Sequence, residues 1–109
     1  MNIENYNEYV RGFTVIKAIS FTSNLESHLF ECELNLELCK SEYSPEEKVV
    51  LKFIGVSSLK INELGGGLSQ LCFLEIHDIR ERQLDRLNFS VSETENNAIS
   101  FYCTRIEVV

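Results

Sequence analysis

Several groups of residues in this 109-residue chain have the side chains from which catalytic or ligand sites are built. Glu75, His77 and Asp78 lie close together, and a carboxylate beside an imidazole serves general acid/base work or metal binding. On an extended strand Glu75 and His77 share a face while Asp78 points away. The other histidine, His28, lies far upstream, so a metal site would have to recruit ligands from other strands. These residues read first as surface or strand-end polar groups. Cys32, Cys39, Cys72 and Cys103 contain no CxxC pair, which removes zinc-ribbon and thioredoxin-type chemistry. Cys32 and Cys103 fall on apolar strand faces and read as inert core residues, whereas Cys39, beside Lys40, is the expected exposed thiol. Leu64-Gly65-Gly66-Gly67-Leu68-Ser69 has the glycines of an anion nest but neither GxxxxGK[ST] nor a helix to aim its amides. GxGxxG and GxSxG are also absent, so a tight connection between strands is the simpler reading. No catalytic residue, metal ligand or cofactor-binding residue is assigned.

Two charged groups suit recognition better than catalysis. Arg80-Glu81-Arg82-Gln83-Leu84-Asp85-Arg86 places three guanidiniums in a connection, where they anchor a partner or are satisfied internally. Glu31, Glu33 and Glu37 fall on one strand face, and with Glu93 and Glu95 in a later loop they form the candidate surface for a basic protein partner. Complementary charge of this kind raises association rate and selectivity.

The elements that must position these residues are mostly strands. Between His28 and Lys40, Phe30, Cys32, Leu34, Leu36 and Leu38 alternate with Leu29, Glu31, Glu33, Asn35, Glu37 and Cys39. After the polar connection Ser41 to Glu47, Val49, Leu51 and Phe53 alternate with Lys48, Val50, Lys52 and Ile54. Coincident apolar faces require even positions of the first strand to pair with odd positions of the second. Lys52 then stands opposite Glu37 or Glu33 and partly neutralises the acidic face.

A second hairpin sets Leu87, Phe89 and Val91 against Ile99, Phe101 and Cys103 across the polar loop Ser92 to Ala98. At Thr104-Arg105 the apolar parity changes, which predicts a bulge before Ile106 and Val108. Val56 to Ile61 continues the preceding strand after a kink at Gly55. The run Leu71-Cys72-Phe73-Leu74-Glu75-Ile76 predicts a central strand covered on both faces. Ile3, Tyr6, Val10 and Phe13 approximate a helical face that would supply the cover, with Gly12 as a stop. Phe13 to Phe21 follows as a strand, with Val15, Ile19 and Phe21 on one side and Ile16 and Ala18 on the other.

These elements predict a mainly β fold in one domain, residues 1–109: an antiparallel sandwich or curled sheet of five to seven strands with one short N-terminal helix. All-parallel α/β is excluded, because no stretch has the length and periodicity of a crossover helix. Ten basic and seventeen acidic residues leave a formal charge of −7, with 44% hydrophobic and 25% charged residues. That balance argues against nucleic acid or an anionic membrane as partner, since both need clustered Lys and Arg. The N-terminal residues lack a signal sequence, no stretch approaches the ~20 apolar residues of a membrane span, and a cytoplasmic location is expected. A chain of this size buries enough surface to fold without a cofactor.

Leu51-Lys52-Phe53-Ile54-Gly55-Val56, Leu59-Lys60-Ile61, Leu74-Glu75-Ile76-His77-Asp78-Ile79 and Ile99-Ser100-Phe101-Tyr102-Cys103 together resemble small bacterial immunity proteins of polymorphic toxin systems. The resemblance covers about half the chain and rests on strand patterning with the FxGV and FxC fragments, none of them a catalytic signature. It implies a cytosolic, non-enzymatic protein that binds one toxin domain and blocks its active site or a required interface. Acidic members of such families often face basic nuclease toxins. The leading expectation is therefore an acidic protein-interaction module of the immunity or inhibitor type. Its alternatives are a small-ligand or enzyme site near Glu75 and His77, and a homo-oligomer built through an exposed strand edge.

Overall fold

The computed structural model describes the whole chain except residues 1–2, 27, 29, 63, 69, 72, 83–85 and 96, together with the side chains of residues 3 and 4. One helix, α1 (Ile3–Val10), precedes eight strands: β1 (Val15–Ser23), β2 (Cys32–Cys39), β3 (Lys48–Ile54), β4 (Ser57–Ile61), β5 (Leu74–Asp78), β6 (Phe89–Glu93), β7 (Ile99–Cys103) and β8 (Arg105–Val108). They form two antiparallel sheets, ordered β1-β2-β3-β8 and β4-β7-β6-β5. The mainly β, antiparallel fold with a short N-terminal helix is the expected one.

The core is written by alternation. Leu34 faces Phe53, Leu36 faces Leu51 and Leu38 faces Val49 across β2 and β3, the even-to-odd pairing that coincident apolar faces require. All six side chains are buried, and they meet Leu74, Ile76, Val91, Ile99, Phe101 and Cys103 from the second sheet. Phe53 and Phe101 join the two layers edge to face, with ring centroids 4.8 Å apart.

Six extended runs become eight strands because two of them change sheets midway. Ile54 faces Arg105 in the first sheet and Ser57 faces Tyr102 in the second. Both pairs keep the same register, so β3–β4 and β7–β8 are one antiparallel ribbon folded across both layers, with Gly55 opposite Thr104 at the bend. Thr104 donates its N–H to the Ile54 carbonyl at 2.8 Å. Gly55 has φ +72°, and a Cβ there would lie 2.3 Å from Thr104 Oγ1 and 2.8 Å from Thr104 Cβ. Only glycine meets both the backbone angle and the close approach. The change of apolar parity at Thr104-Arg105 thus marks a crossing between sheets, not the expected bulge within one.

A bulge does occur in β1, where the register with β2 shifts between Ile16 and Ala18. Ile16, Ile19 and Phe21 therefore share the side of Leu38, Leu36 and Leu34, and Ala18 takes the opposite side. The strict alternation expected for Phe13 to Phe21 breaks there because the extra residue inverts the parity.

β5 is an edge strand and not the central one that its apolar run suggests. Leu74 and Ile76 are buried in the core while Phe73, just before the strand, is exposed. The free edge is covered by α1. Asn7 accepts the Ile76 N–H at 2.8 Å through Oδ1 and donates Nδ2 to the Ile76 carbonyl at 2.9 Å, so one amide takes the place of a neighbouring strand. Val10 is buried and Tyr6 packs against the core, on the helix face expected from their spacing, whereas Phe13 packs there from beyond the end of α1, which stops at Val10.

Candidate functional site: a charged groove on the outer sheet face

The side of β2 that turns away from the core carries Glu33, Asn35 and Glu37. β3 adds Lys48 and Lys52 beside them, and β8 adds Glu107 opposite Lys52. Lys52 stands opposite Asn35 and not opposite Glu37 or Glu33, a register two residues from each expected one, and it reaches Glu33 diagonally at 3.1 Å. Glu37 is held by Lys48 at 2.6 Å, and the hydrogen bond from that ammonium keeps its carboxyl below the ordinary value of 4.5. The β1–β2 connection and the first residues of β8 border one end of this face. The result is a groove of about 630 Å³ whose charged lining is Glu26, Glu31, Glu33 and Glu107 against Lys52 and Arg105. Thr22, Ser23 and Cys32 supply hydroxyl and thiol groups, and Ile54 an apolar patch.

Four carboxylates against two cations leave the groove acidic after its own pairings are made. Arg105 lies 3.9 Å from Glu107, a loose contact. Glu31 meets Arg86 from outside the groove at 3.7 Å. Exposed pairs of this kind contribute about 0–1 kcal/mol each and exchange readily for a partner's charge. Glu26 makes no ion pair within 4.0 Å among the described residues.

The candidate residues divide accordingly. Glu31 and Glu33 line the groove, and Glu37 lies further along the same strand face. Glu93 leaves the set: its side chain is 2% exposed and its Oε1 accepts the Ala98 N–H at 3.2 Å. The strand runs one residue pair beyond the apolar pattern, so Glu93 turns inward and closes the hairpin. Glu95 is exposed in the β6–β7 turn. Arg86, the partner of Glu31, precedes β6, whereas Glu95 follows it; the length of β6, roughly 17 Å, separates the two acidic positions. Glu26 and Glu107 were not singled out by sequence: nothing local marks Glu26, and the one signal for Glu107 is its alternation with Arg105, which places both charges on one face of β8.

Other candidates are placed differently. Glu75 and His77 are 3.3 Å apart on the outer face of β5, beside a cleft of about 230 Å³ shared with Asn7, Arg11 and Phe73. Asp78 turns to Arg80, whose Nε lies 3.0 Å from both carboxylate oxygens. That guanidinium holds the Asp78 carboxyl below its ordinary value of 3.8. Among the described residues the arginine-rich connection is satisfied in part by Asp78 and Glu31, and its own Glu81 makes no ion pair within 4.0 Å; Asp85 lies outside the described residues. No group of three or more His, Cys, Asp or Glu among the described residues is placed to hold a metal ion.

The thiols also sort by burial. Cys103 is fully buried and its pKa is pushed up to about 12 by that burial. Cys39, expected to be exposed, is buried at 2%, because it pairs in register with the buried Val15 at the covered start of β1. Cys32 is half-buried and lines the groove. Cys72 lies outside the described residues.

The fold and this face define a two-sheet antiparallel sandwich with an acidic, concave outer surface. The whole chain, residues 1–109, matches the family model described as Immunity protein PIM8, and the chain belongs to that family. Membership implies a toxin protein as partner. No curated protein and no solved structure matches the chain. No described helix is long and apolar enough to cross a membrane.

Proposed function

We propose that the chain is a non-enzymatic inhibitor that neutralises its toxin in the cytoplasm by binding it as a protein, with the acidic groove receiving a basic element of the toxin. The observation that carries this reading is the groove itself: Glu26, Glu31, Glu33 and Glu107 against Lys52 and Arg105, in a concavity large enough for several side chains. The chain's charge of −7 adds a long-range field of the same sign. Cys32, Cys39 and Cys103 are free thiols, which suits a reducing compartment. Glu37 extends the acidic strip along β2, while Glu95, exposed in the β6–β7 turn and outside the groove lining, belongs to the surrounding field.

The test is the association rate with the cognate toxin domain. Replacing the four groove carboxylates together (E26Q, E31Q, E33Q and E107Q) moves the formal charge from −7 to −3 without changing side-chain shape. Association should slow by about tenfold at low ionic strength, and the difference should shrink as salt is raised. The single change E95Q should leave the rate within about twofold. An unchanged rate for the quadruple variant, with its circular dichroism intact, removes the groove from the interface.

A further inference from the structure

The two sheets have four edges, and three are protected in recognisable ways. The edge of β5 is occupied by Asn7. β4 is five residues long, its register with β7 shifts between Ser57 and Lys60, and Ser58 has φ +56°. β8 has four residues and carries Arg105 and Glu107. Irregularity, shortness and charge are the devices by which proteins stop edge strands from pairing.

β1 lacks them over most of its length. It is nine residues long, and its bulge and its one charge, Lys17, sit near its start. There the edge is closed by the Val15–Gln70 bridge and by the Leu71 N–H bonded to the Thr14 carbonyl at 2.7 Å. From Ala18 to Ser23 the strand is regular and uncharged, and no described backbone pairs with its outer side. Ile19 and Phe21 share the side of the core leucines of β2 yet are 37% and 49% exposed.

We infer that the Ala18–Ser23 edge is a strand-addition surface whose occupant is a second copy of this chain, paired antiparallel about a two-fold axis at Ser20. The register is self-complementary. With Ser20 opposite itself, Ile19 meets Phe21 of the second copy and Phe21 meets its Ile19, so four half-exposed apolar side chains cover one another. On the opposite side Ala18 meets Thr22, small and uncharged. Shifting the axis by one residue toward Ile19 brings Phe21 against the bulged Lys17; shifting it toward Phe21 leaves Ile19 against Ser23. Only the Ser20 axis matches both faces, and it joins the two four-stranded sheets into one of eight strands. The paired segment is roughly 17–20 Å long, which places the interface among small, weak and concentration-dependent ones. This inference does not rest on the toxin-binding reading.

Sedimentation velocity across a concentration series tests it. The mass of the wild-type chain should rise from 12.6 kDa toward twice that value at high concentration. Ser20 is exposed and opposes itself in the dimer, so S20K alone and S20E alone should each remain at the monomer mass, with unchanged circular dichroism. An equal mixture of the two should recover the dimer, because each Lys then faces a Glu. A wild-type chain that stays at 12.6 kDa throughout overturns the inference, as does dimerisation of either single variant equal to wild type. A monomeric wild type whose toxin binding is weakened by S20K also overturns it and assigns the edge to a strand of the toxin.

Discussion

Replacing Gly55 by alanine tests whether the fold depends on the bend where one ribbon serves both sheets. At φ +72° an L-residue is strained by about 1–2 kcal/mol. The new Cβ would also stand 2.3 Å from Thr104 Oγ1 and 2.8 Å from Thr104 Cβ. Rotating the Thr104 side chain would move Oγ1 but not Cβ, so no rotamer relieves the second contact. Backbone shifts that accommodate such overpacking cost about 1–3 kcal/mol. They would pull on the 2.8 Å bond from the Thr104 N–H to Ile54 and on the 2.6 Å bond from Thr104 Oγ1 to the Arg86 carbonyl. The smaller entropy of an unfolded chain with alanine offsets about 0.4–1 kcal/mol. G55A should therefore be destabilised by about 1–4.5 kcal/mol. Equilibrium urea unfolding followed by far-ultraviolet circular dichroism measures the loss directly, and a matching fall of roughly 5–20 °C in Tm is expected. In a double-mutant cycle, T104G should cost less in the G55A background than in wild type, because it removes both clashing atoms, with a coupling of about 1–3 kcal/mol. A loss below about 0.5 kcal/mol for G55A, or strict additivity in the cycle, would refute the account of the bend.

Further expectations concern the capped edge and the arginine-rich connection. N7A removes both hydrogen bonds to Ile76, at 2.8 and 2.9 Å, and should cost about 1–2 kcal/mol with faster hydrogen exchange at the Ile76 amide; N7D, which keeps the acceptor, should slow that exchange again relative to N7A. The Asp78 carboxyl should titrate below its ordinary 3.8 by carbon-detected NMR, because Arg80 hydrogen-bonds it, and R80Q should bring the midpoint back up. Since the folded-state value is the lower one, whatever stability this pair contributes is present above the ordinary carboxylate range and is lost as pH falls through the depressed value.

Much of this architecture was legible as periodicity. Leu34, Leu36 and Leu38 against Val49, Leu51 and Phe53 specified a strand pair and its even-to-odd parity, because slipping by one residue would turn every leucine to water; a two-residue slip keeps the same faces, and the structure chose the register that sets Lys52 opposite Asn35. The helical spacing of Ile3, Tyr6, Val10 and Phe13 marked α1 for the same kind of reason. Where the pattern misled, a single residue had changed the meaning of parity. The β1 bulge inverted it after Ile16, the ribbon bend exchanged sheets at Gly55 and Thr104, and one more strand pair carried Glu93 inside.

The candidate site was legible only in part. Glu31 and Glu33 stood out because they share a strand face, but Glu26 and Glu107 reach the same groove from a loop and from the last strand. Their separation along the chain carries no local signal. The sequence alone determined the acidic charge, the β class and the parity of the first hairpin's register, all of which follow from composition and from interactions between near neighbours. Only the tertiary structure decided which edges are covered, that Cys39 and Glu93 are buried, and that Glu107 joins Glu26, Glu31 and Glu33 around one groove. Those outcomes depend on how two sheets stack and where one ribbon bends between them, and contacts between residues far apart in the chain settle that geometry.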